Sequence, residues 1–458
     1  MNNVAVHPLL KEISSYFTLK GKKVYLVGGA VRDLLLGKKA QDWDLATDAR
    51  PEEVKSLFRR VIPTGIKHGT VTVLFKGYSL EVTTFRTESD YRDGRRPDKV
   101  EYAATIEEDL SRRDFTMNAL AAELPSGRIT DPFHGTADIK NRIIRCVGNA
   151  EERFAEDGLR PMRALRFASQ LGFTVDEATL HAIPLSLGVT AKVSPERIRD
   201  EFEKIVAGGK PGAAFLLMEK TGLLSMLFPD LSRCRGVEQK GLHRFDVLDH
   251  SLLSLNYAAE KGFPQRVRLA ALFHDLGKAV TKKLDDNGIW TFYQHERESE
   301  RITGRILRQY RYPNTVIDGV TLLVREHMFH YEENWSDAAV RRFVVRVGEE
   351  NLKDLYLLRF ADAFGTAGVE GPADFLLPLA NRVESVLSQN KAFTLKDLAV
   401  SGKDLMETGI KPGKHMGVIL NELLETVLDD PALNTKERLL EIAGKINGRY
   451  IPGNSDGN

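Results

Sequence analysis

The chain has 458 residues, of which 42% are hydrophobic, and this is enough material for several domains with cores of their own. Its 65 basic and 64 acidic residues nearly cancel, which excludes a uniformly basic nucleic-acid-binding coat but not a local basic face. No window approaches the roughly 18 unbroken apolar residues of a membrane-spanning helix, and the first residues lack the basic and apolar regions of a signal peptide. We therefore expect a soluble cytoplasmic protein with no membrane partner.

The cysteine content argues against two kinds of site. Cys146 and Cys234 are too few for a disulfide framework and too isolated for a cysteine-rich zinc site. We expect both to be buried thiols.

The first third of the chain alternates strand and helix patterns. KKVYLVGG predicts a buried strand that ends in glycine, VRDLLLG predicts a helix, and TVTVLF and YSLEVTTF alternate as strands do. Beyond GRITDPFHGTADIKNRIIRCV, helical periodicity replaces the β-branched runs, so an α+β fold is predicted. The predicted domains are a head with a mixed sheet, a helical neck, a helical histidine-rich block and a helical tail ending in a disordered IPGNSDGN, at residues 1–145, 146–240, 241–384 and 385–458.

Asp42 and Asp44 follow the first strand and helix. On an extended strand, carboxylates two residues apart point to the same side, where they can share hard divalent cations such as Mg²⁺. Two-metal nucleotidyl transfer uses one cation to activate a 3′-hydroxyl and another to hold the β- and γ-phosphates. Glu81 is the predicted third carboxylate, provided that its strand pairs beside Asp44. Taken alone, an Asp-X-Asp pair more often caps a turn or faces solvent.

Gly28 and Gly29 come directly after the predicted first strand. Without side chains they let the backbone approach a triphosphate and offer N–H groups near a helix N-terminus. Arg32 follows on that helix and is a further candidate for nucleotide binding. A Gly-Gly pair alone is weak evidence for such a site.

These segments belong to an ordered series of motifs, namely GGAVRD, DWDLAT, HGT, EVTTFR, DGRRPD, EEDLSRRDFTMNAL and EDGLRPMRALRF. The series resembles the class II tRNA nucleotidyltransferase and bacterial poly(A) polymerase family, which belongs to the DNA polymerase β superfamily. The resemblance implies a polymerase β-like nucleotidyltransferase head that uses Mg²⁺. It also implies template-independent addition of nucleotides from CTP and ATP to the 3′ end of tRNA.

The same resemblance implies that Arg112, Arg113 and Asp114 hold the sugar of the nucleotide and couple the head to the neck. Paired arginines beside an aspartate can contact phosphate or ribose while the carboxylate orients one guanidinium. A salt bridge that only closes the domain is the alternative interpretation.

Asp157 and Arg160 lie in a segment that resembles the family's EDxxR motif, in which side chains replace a nucleic-acid template. A spacing of three on a helix puts both on one face, where they can meet the base edge of cytosine or adenine. Without the family, a surface ion pair is the more usual interpretation. Arg163 and Arg166 are further predicted nucleotide ligands, in an arginine-rich segment that either collects phosphates or faces solvent.

The segment FRTESDYRDGRRPDKVEYAATIEEDLSRRD resembles the uninterrupted flexible loop of CCA-adding and A-adding members. It favours CCA addition. The alternatives are an A-adding enzyme that works with a CC-adding partner, and a poly(A) polymerase.

A second chemical centre is predicted in the histidine-rich block, where the segment RLAALFHDLGK resembles an HD domain. Imidazoles and carboxylates suit a borderline divalent metal of unknown identity and can leave positions open for water. The predicted ligands are His250, His274, Asp275, His295, His327 and Asp362. The resemblance implies phosphatase or phosphodiesterase activity on phosphate monoesters or 2′,3′-cyclic phosphates, and a purely structural domain is the alternative. Lys278 is a candidate phosphate contact, and His243 and His330 are weaker ligand candidates.

The sequence is compatible with three functions: a nucleotidyltransferase, a metal phosphohydrolase whose head only binds nucleotide, and a non-catalytic RNA-binding protein. The intact Asp42 and Asp44 favour the first. The sequence does not predict an oligomeric state.

Overall fold

The computed structural model describes residues 3–40, 42–89, 99–239, 244–372, 374–389 and 394–450. The chain divides into two compact units. Unit 1 consists of Met1–Val237, Leu255–Gln265 and Arg305–Pro313, and unit 2 of Glu238–Ser254, Arg266–Gly304 and Asn314–Asn458. Within the described part of the chain, no helix is both long enough and apolar enough to cross a membrane.

A mixed seven-stranded sheet forms the centre of the head in unit 1, with the order β3-β4-β5-β2-β1-β8-β9. The strands β2 and β5 run parallel, whereas the other neighbouring pairs are antiparallel. All four residues of β1, VYLV, are buried, as its apolar sequence requires in the middle of a sheet. The strands of this sheet are β1 Val24–Val27, β2 Asp44–Thr47, β3 Val61–Gly65, β4 Thr70–Phe75, β5 Tyr78–Thr84, β8 Ala121–Glu123 and β9 Ile129–Thr130.

Three further strand pairs are small. They are the antiparallel pair β6 Arg86–Ser89 with β7 Lys99–Tyr102, the parallel pair β10 Ile143–Ile144 with β11 Thr174–Val175, and the antiparallel pair β12 Lys283–Leu284 with β13 Trp290–Thr291. The strand β11 and the pair of β12 with β13 lie in regions that the sequence predicts as nearly all helix. Two-residue strands carry too little alternation to be visible as a pattern.

The helices of the head and neck surround the sheet and continue beyond it. They are α1 Pro8–Thr18, α2 Gly29–Leu35, α3 Pro51–Leu57, α4 Ile106–Ser111, α5 Gly135–Asn141, α6 Ala150–Glu156, α7 Arg160–Leu171, α8 Glu177–Leu185, α9 Leu187–Thr190, α10 Pro195–Val206, α11 Pro211–Lys220, α12 Leu223–Leu227 and α13 Pro229–Ser232. The helix α7 has a proline in its first turn and ends at Gly172, whose φ of 67° is the left-handed conformation that glycine tolerates.

The rest of the described chain is mainly helical. Its helices are α14 Val247–Glu260, α15 Gln265–Phe273, α16 Lys278–Thr281, α17 His295–Gln309, α18 Asn314–Glu326, α19 Asp337–Val347, α20 Glu349–Ala367, α21 Leu377–Gln389, α22 Gly402–Glu407, α23 Lys414–Asp429 and α24 Lys436–Tyr450. In the tail, Leu405, Ile419, Leu423 and Leu439 belong to one buried apolar cluster.

The predicted α+β class, with a mixed sheet followed by helical regions, is confirmed. The predicted first strand, the helix after it and the TVTVLF and YSLEVTTF strands are found as β1, α2, β4 and β5. Cys146 and Cys234 are buried free thiols, as predicted. The predicted disordered end IPGNSDGN and the DGRRPD motif lie outside the described residues.

Candidate active site and metal centre

The carboxylates of the head meet where β1, β2 and β5 lie side by side. Asp44 is the first residue of β2, and it pairs with Val27 of β1 on one side and Glu81 of β5 on the other. Glu81 therefore lies beside Asp44 in the predicted register. Asp42 precedes β2, so the expectation that both aspartates lie on one strand is wrong, because the pairing with β1 starts only at Asp44.

The carboxylates of Asp44 and Glu81 both have raised pKa values. Burial of the Asp44 carboxylate by the surrounding protein raises its pKa, Arg113 opposes the rise and Asp42 adds to it. Burial also raises the pKa of Glu81, and the charge of Asp44 raises it further. Clustered carboxylates that raise one another's pKa form an environment that a divalent cation stabilises.

Gly28 has a backbone conformation that favours glycine, and an arginine approaches it closely. Its φ is 69°, and a Cβ atom at this position would lie 2.8 Å from Nη1 of Arg113. Arg113 and Arg112 are both paired with the buried carboxylate of Asp109, at 3.3 and 2.8 Å. The carboxylate that orients these arginines is thus Asp109 and not the neighbouring Asp114, which corrects the expectation from the sequence.

Asp114 instead connects the head to α7. Its Oδ2 accepts a hydrogen bond from Nε of Arg163 at 2.7 Å, and its Oδ1 accepts one from Asn118 at 3.1 Å. Burial alone would raise the pKa of Asp114, but Arg163 and Asn118 outweigh it and hold the pKa at about 2. Asp114 is therefore an ionised link between the sheet domain and the neck helix.

Phe167 of α7 is an aromatic surface for three guanidinium groups. The Cζ atoms of Arg32, Arg163 and Arg166 lie 5.2, 5.7 and 4.0 Å from its ring centroid. Arg32 also donates to Asn118 at 2.8 Å, and so it is fixed from two sides. These cation–π contacts add to the ion pairs that the three arginines make with Asp33, Asp114 and Glu201.

Asp157 and Arg160 do not share a helix, contrary to the prediction. Asp157 ends α6 in an extended conformation, and Arg160 begins α7. Arg197 donates to both oxygens of Asp157, at 3.2 and 2.9 Å. Arg160 donates to Glu156 at 2.6 Å and to two backbone carbonyls. The two side chains are nevertheless neighbours, because both line the same cavity.

That cavity has a volume of about 500 Å³ and lies entirely within unit 1. Asp42 does not line this cavity, whereas the other head and neck residues predicted to act on the nucleotide do. The residues that line it are Gly28, Gly29, Arg32, Asp44, Glu81, Arg112, Arg113, Asp114, Asp157, Arg160, Arg163 and Arg166. The cavity thus combines carboxylates, which can bind metal ions, with fixed arginines, which can bind phosphate. This combination suits a ligand that contains a metal-bound triphosphate and a base.

The other arginines of the arginine-rich segment have different environments. Arg145 pairs with Asp138 and Asp176, Arg153 pairs with Glu156, and Arg142 is exposed. Only Arg142 therefore fits the solvent-facing interpretation, and the role of Arg160, Arg163 and Arg166 in phosphate binding stays a prediction.

Several residues that complete the cavity were not singled out from the sequence. Asn118 and Phe167 line it directly, Asp109 and Glu201 orient its arginines, and Arg197 holds Asp157. Asp109 and Asn118 stand in the quoted EEDLSRRDFTMNAL motif, so the motif itself was the available signal. Arg197 and Glu201 give no local signal, since their partners are far away in sequence.

The predicted second centre is a buried cluster in unit 2. His250 lies in α14, the His274–Asp275 pair directly follows the apolar α15, and Asp362 lies in α20. The Nε2 atoms of His250 and His274 are 2.9 Å apart, and Oδ1 of Asp362 lies 3.3 and 3.5 Å from them. These three residues could hold a metal ion, as could the overlapping set of His274, Asp275 and His327.

The charges of this cluster favour a cation. Burial would raise the pKa of Asp275, but Lys278 and His274 hold it well below its ordinary value. Burial lowers the pKa of His327, which favours the neutral imidazole that binds metals. Among the weaker candidates, His330 is 82% exposed and pairs with Glu332, and His243 lies outside the described residues.

A cavity of about 650 Å³ opens onto this cluster. Its lining includes Asp275, His295, His327 and Asp362, together with Lys278 and Arg359 as cationic groups. Aromatic side chains of Trp290, Phe292 and Tyr293 lie along the same cavity. Cations and aromatic rings beside these candidate metal ligands suit a phosphate ester with a planar substituent.

Comparison with known proteins defines the class first. Residues 24–145 match the family model of the poly(A) polymerase head domain, and residues 285–443 match that of tRNA nucleotidyltransferase domain 2. Residues 172–234 match a model described as an RNA- and SrmB-binding site of polymerase A. The head is thus a nucleotidyltransferase head of the poly(A) polymerase type.

Full-length relatives then define the family. A CCA-adding enzyme of Latilactobacillus sakei is 37% identical over 95% of this chain and 96% of its own, and one of Ligilactobacillus salivarius is 35% identical over 96% and 95%. The crystal structure of the Bacillus stearothermophilus CCA-adding enzyme in complex with CTP aligns with a TM-score of 0.72 and 31% identity, covering 97% of this chain and 99% of that one. The chain belongs to the CCA-adding enzyme family.

Proposed function

We propose that this chain adds CCA to the 3′ end of tRNA from CTP and ATP, without a nucleic-acid template and with release of pyrophosphate. The observation that carries the proposal is one cavity of unit 1, where Asp44 and Glu81 lie with a set of fixed arginines and with Asp157 and Arg160. The likeness to a relative crystallised with CTP supports nucleotide binding at this cavity. A cytoplasmic location is part of this proposal.

Asp42 and Asp44 would hold Mg²⁺, with Glu81 beside them. The fit rests on the donor chemistry, because carboxylate oxygens are hard ligands. Burial, together with a neighbouring carboxylate, raises the pKa of both Asp44 and Glu81, and a bound cation would stabilise their ionised forms. When bound, Mg²⁺ would supply activation of the 3′-hydroxyl and charge stabilisation at the triphosphate.

The protein's own groups then bind and select the nucleotide. Arg112 and Arg113, held by Asp109, offer positive charge beside the carboxylates. Asp157 and Arg160 present an acceptor and donors to the base edge. Because cytosine and adenine both offer an amino donor next to a ring acceptor, one such pair can accept both and reject uracil and guanine.

We further propose a metal-dependent phosphohydrolase activity in unit 2, on phosphate monoesters or 2′,3′-cyclic phosphates. Two overlapping buried groups, His250 with His274 and Asp362, and His274 with Asp275 and His327, favour this second function, since imidazole nitrogens and carboxylate oxygens are donors that fit a borderline divalent cation. Lys278 and Arg359 line the adjoining cavity and would bind the phosphate. When bound, the metal would supply an activated water.

One assay separates the candidate functions. Purified protein is incubated with labelled CTP, ATP or both and a tRNA that lacks its 3′ CCA. CCA addition gives incorporation of both nucleotides in order, whereas an A-adding enzyme uses ATP only on tRNA that already ends in CC. A poly(A) polymerase extends with ATP beyond one residue, and a binding protein or pure phosphohydrolase incorporates nothing.

A further inference from the structure

The sheet holds two of the three candidate carboxylates of the head but not the third. Asp44 and Glu81 are paired with each other in the ladder of β2 and β5. Asp42 is exposed and lies ahead of β2, whose pairing begins at Asp44 on both sides. A carboxylate that binds a cation must keep its position to within about 0.5 Å. A contact outside the ladder therefore has to fix the segment that carries Asp42.

Trp43, between the two aspartates, packs on the opposite face of the sheet. Its ring stacks on that of Tyr78, with centroids 5.2 Å apart and planes inclined by 19°. Tyr78 begins β5 three positions before Glu81, so these two side chains point to opposite faces. Within the described part of the chain, the lining of the unit 1 cavity includes neither ring. Trp43 thus anchors the segment on one face of the sheet, while Asp44 and Glu81 face the cavity on the other.

His7 adds a third ring to this contact. The centroid of its imidazole lies 4.7 Å from that of Trp43 and 6.4 Å from that of Tyr78. His7 is also the N-cap of α1, where its Nδ1 accepts a hydrogen bond from the backbone N–H of Leu9 at 3.2 Å. This hydrogen bond orients the imidazole beside Trp43, and tilted or offset rings at such distances attract one another. His7, Trp43 and Tyr78 together form what we call the aromatic cluster.

The helix α1 is itself attached to the hairpin of β4 and β5. Nζ of Lys76, in the turn of this hairpin, lies 2.6 Å from the carboxylate of Glu12 in α1. The ring of Tyr16 in α1 packs on Phe75 of β4, with centroids 5.7 Å apart. The aromatic cluster is therefore held by a helix that is attached to the hairpin carrying Glu81.

We propose that Trp43 is a positioning residue for Asp42: its ring, held by Tyr78 and His7, fixes the segment before β2 and thereby places the Asp42 carboxylate beside that of Asp44. This inference rests on the proposed Mg²⁺ site of the head and adds the device that aligns its ligands. Trp43 acts through the backbone that it shares with Asp42 and not by contact with substrate. Without the ring, Asp42 gains freedom while the ladder keeps Asp44 in place, so cation binding weakens although the sheet remains.

The test is a titration with Mn²⁺ as the probe, in which the electron paramagnetic resonance signal of free Mn²⁺ gives the affinity. The parent protein is the full chain carrying His274→Ala and Asp275→Ala, so that the histidine cluster of unit 2 does not contribute to the binding. The variants Trp43→Ala, Trp43→Phe and Tyr78→Ala are made in this parent. Circular dichroism establishes that each protein is folded.

We expect Trp43→Ala to weaken Mn²⁺ binding by roughly ten- to a hundred-fold, as is usual when a group that orients a metal ligand is removed. Trp43→Phe keeps a ring against Tyr78 and should restore most of the affinity. In a parent that also carries Asp42→Asn, Trp43→Ala should cause no further loss, because the carboxylate that it positions is gone. Phe75→Ala is the matched control, since it removes a ring of the same hairpin that packs on Tyr16, and it should leave the affinity unchanged.

Incorporation of CTP into tRNA lacking CCA gives a second measurement on the same proteins. The Mg²⁺ concentration that gives half-maximal rate should rise in Trp43→Ala in proportion to the loss of Mn²⁺ affinity, whereas the KM for tRNA should stay the same. A merely structural defect would instead lower the active fraction and leave the Mg²⁺ dependence where it is.

Equal Mn²⁺ affinities of the parent and folded Trp43→Ala would refute the role of Trp43 and leave the proposed cation site intact. The same loss in the presence and absence of Asp42→Asn would show that Trp43 does not act through Asp42, which also refutes the inference. A parent that binds no Mn²⁺ would overturn both the cation site and the inference. If Trp43→Ala does not fold, Tyr78→Ala decides in the same way, because it removes the stacking partner and leaves Trp43 in place.

Discussion

Arg160 is held in place by the protein yet keeps hydrogen-bonding capacity for a ligand. Its guanidinium donates to Glu156 at 2.6 Å, to the carbonyl of Arg153 at 2.8 Å and to that of Arg112 at 3.1 Å. A guanidinium has more N–H groups than these three contacts use. A fixed orientation with spare donors is what a base-reading side chain needs, because a mobile arginine would accept any base.

We therefore predict that Arg160→Ala reduces discrimination against UTP and GTP by roughly ten- to a hundred-fold, since a buried charged hydrogen bond contributes about 1.5–3 kcal/mol. The measurement is kcat/KM for all four nucleotides with wild type and variant. Arg142→Ala, an exposed arginine near the same segment, is the control and should leave the ratios unchanged. Unaltered ratios in Arg160→Ala would show that Arg160 forms only a structural ion pair.

At the scale of elements, the sequence predicted the strands and helices whose patterns are local. The buried VYLV strand, the helix after Gly28 and the alternating strands around Glu81 all follow from periodicity. The register of Asp44 with Glu81 also agrees with the prediction, because a strand offers only two faces. These elements position the carboxylates of the candidate site.

The break between α6 and α7 was not predictable from local pattern. A Cβ atom at Gly158 would lie 2.6 Å from the carbonyl oxygen of Val189, so the chain bends here to pack against a distant segment. Thr190 also donates to the carbonyl of Gly158 at 2.8 Å. Tertiary contacts of this kind override helix propensity, and they place Asp157 and Arg160 on separate helices.

The ion pair between Asp114 and Arg163 connects two elements and should depend on pH. Since the pKa of Asp114 is lowered from 3.8 to about 2, ionised Asp114 stabilises the fold above about pH 4, and this stabilisation is lost as pH falls toward 2. We predict that Asp114→Asn destabilises unit 1 by about 2 kcal/mol at pH 7. The measurement is the free energy of unfolding in urea from pH 7 down to about pH 2, for wild type and variant. A difference that is absent at pH 7, or that grows on acidification, would contradict this role.

At the scale of the whole molecule, the two candidate centres lie in different compact units. The head cavity is formed by residues of unit 1 and the histidine cluster by residues of unit 2. Because neither set of side chains contributes to the other cavity, the two activities should be separable by substitution.

We predict that the double substitution His274→Ala and Asp275→Ala removes hydrolysis of 2′,3′-cyclic AMP and p-nitrophenyl phosphate but retains CCA addition. Both activities are measured on the same preparation, with Mn²⁺ for hydrolysis and Mg²⁺ for addition. His330→Ala serves as the matched control, since its side chain is exposed and outside the cluster. Equal loss of both activities in a folded double variant would contradict the modular organisation.

The central claim is that Asp42 and Asp44 carry nucleotidyl transfer, and the most direct measurement is incorporation of labelled CTP and ATP into tRNA lacking CCA by Asp42→Ala and Asp44→Ala. We predict that each variant loses addition while tRNA affinity changes little, because tRNA is held mainly through phosphate contacts elsewhere. The control is Asp48→Ala, which should remain active, because the Asp48 carboxylate only accepts a hydrogen bond from the backbone N–H of Lys23. Addition at wild-type rates by both the Asp42→Ala and Asp44→Ala proteins would contradict the account.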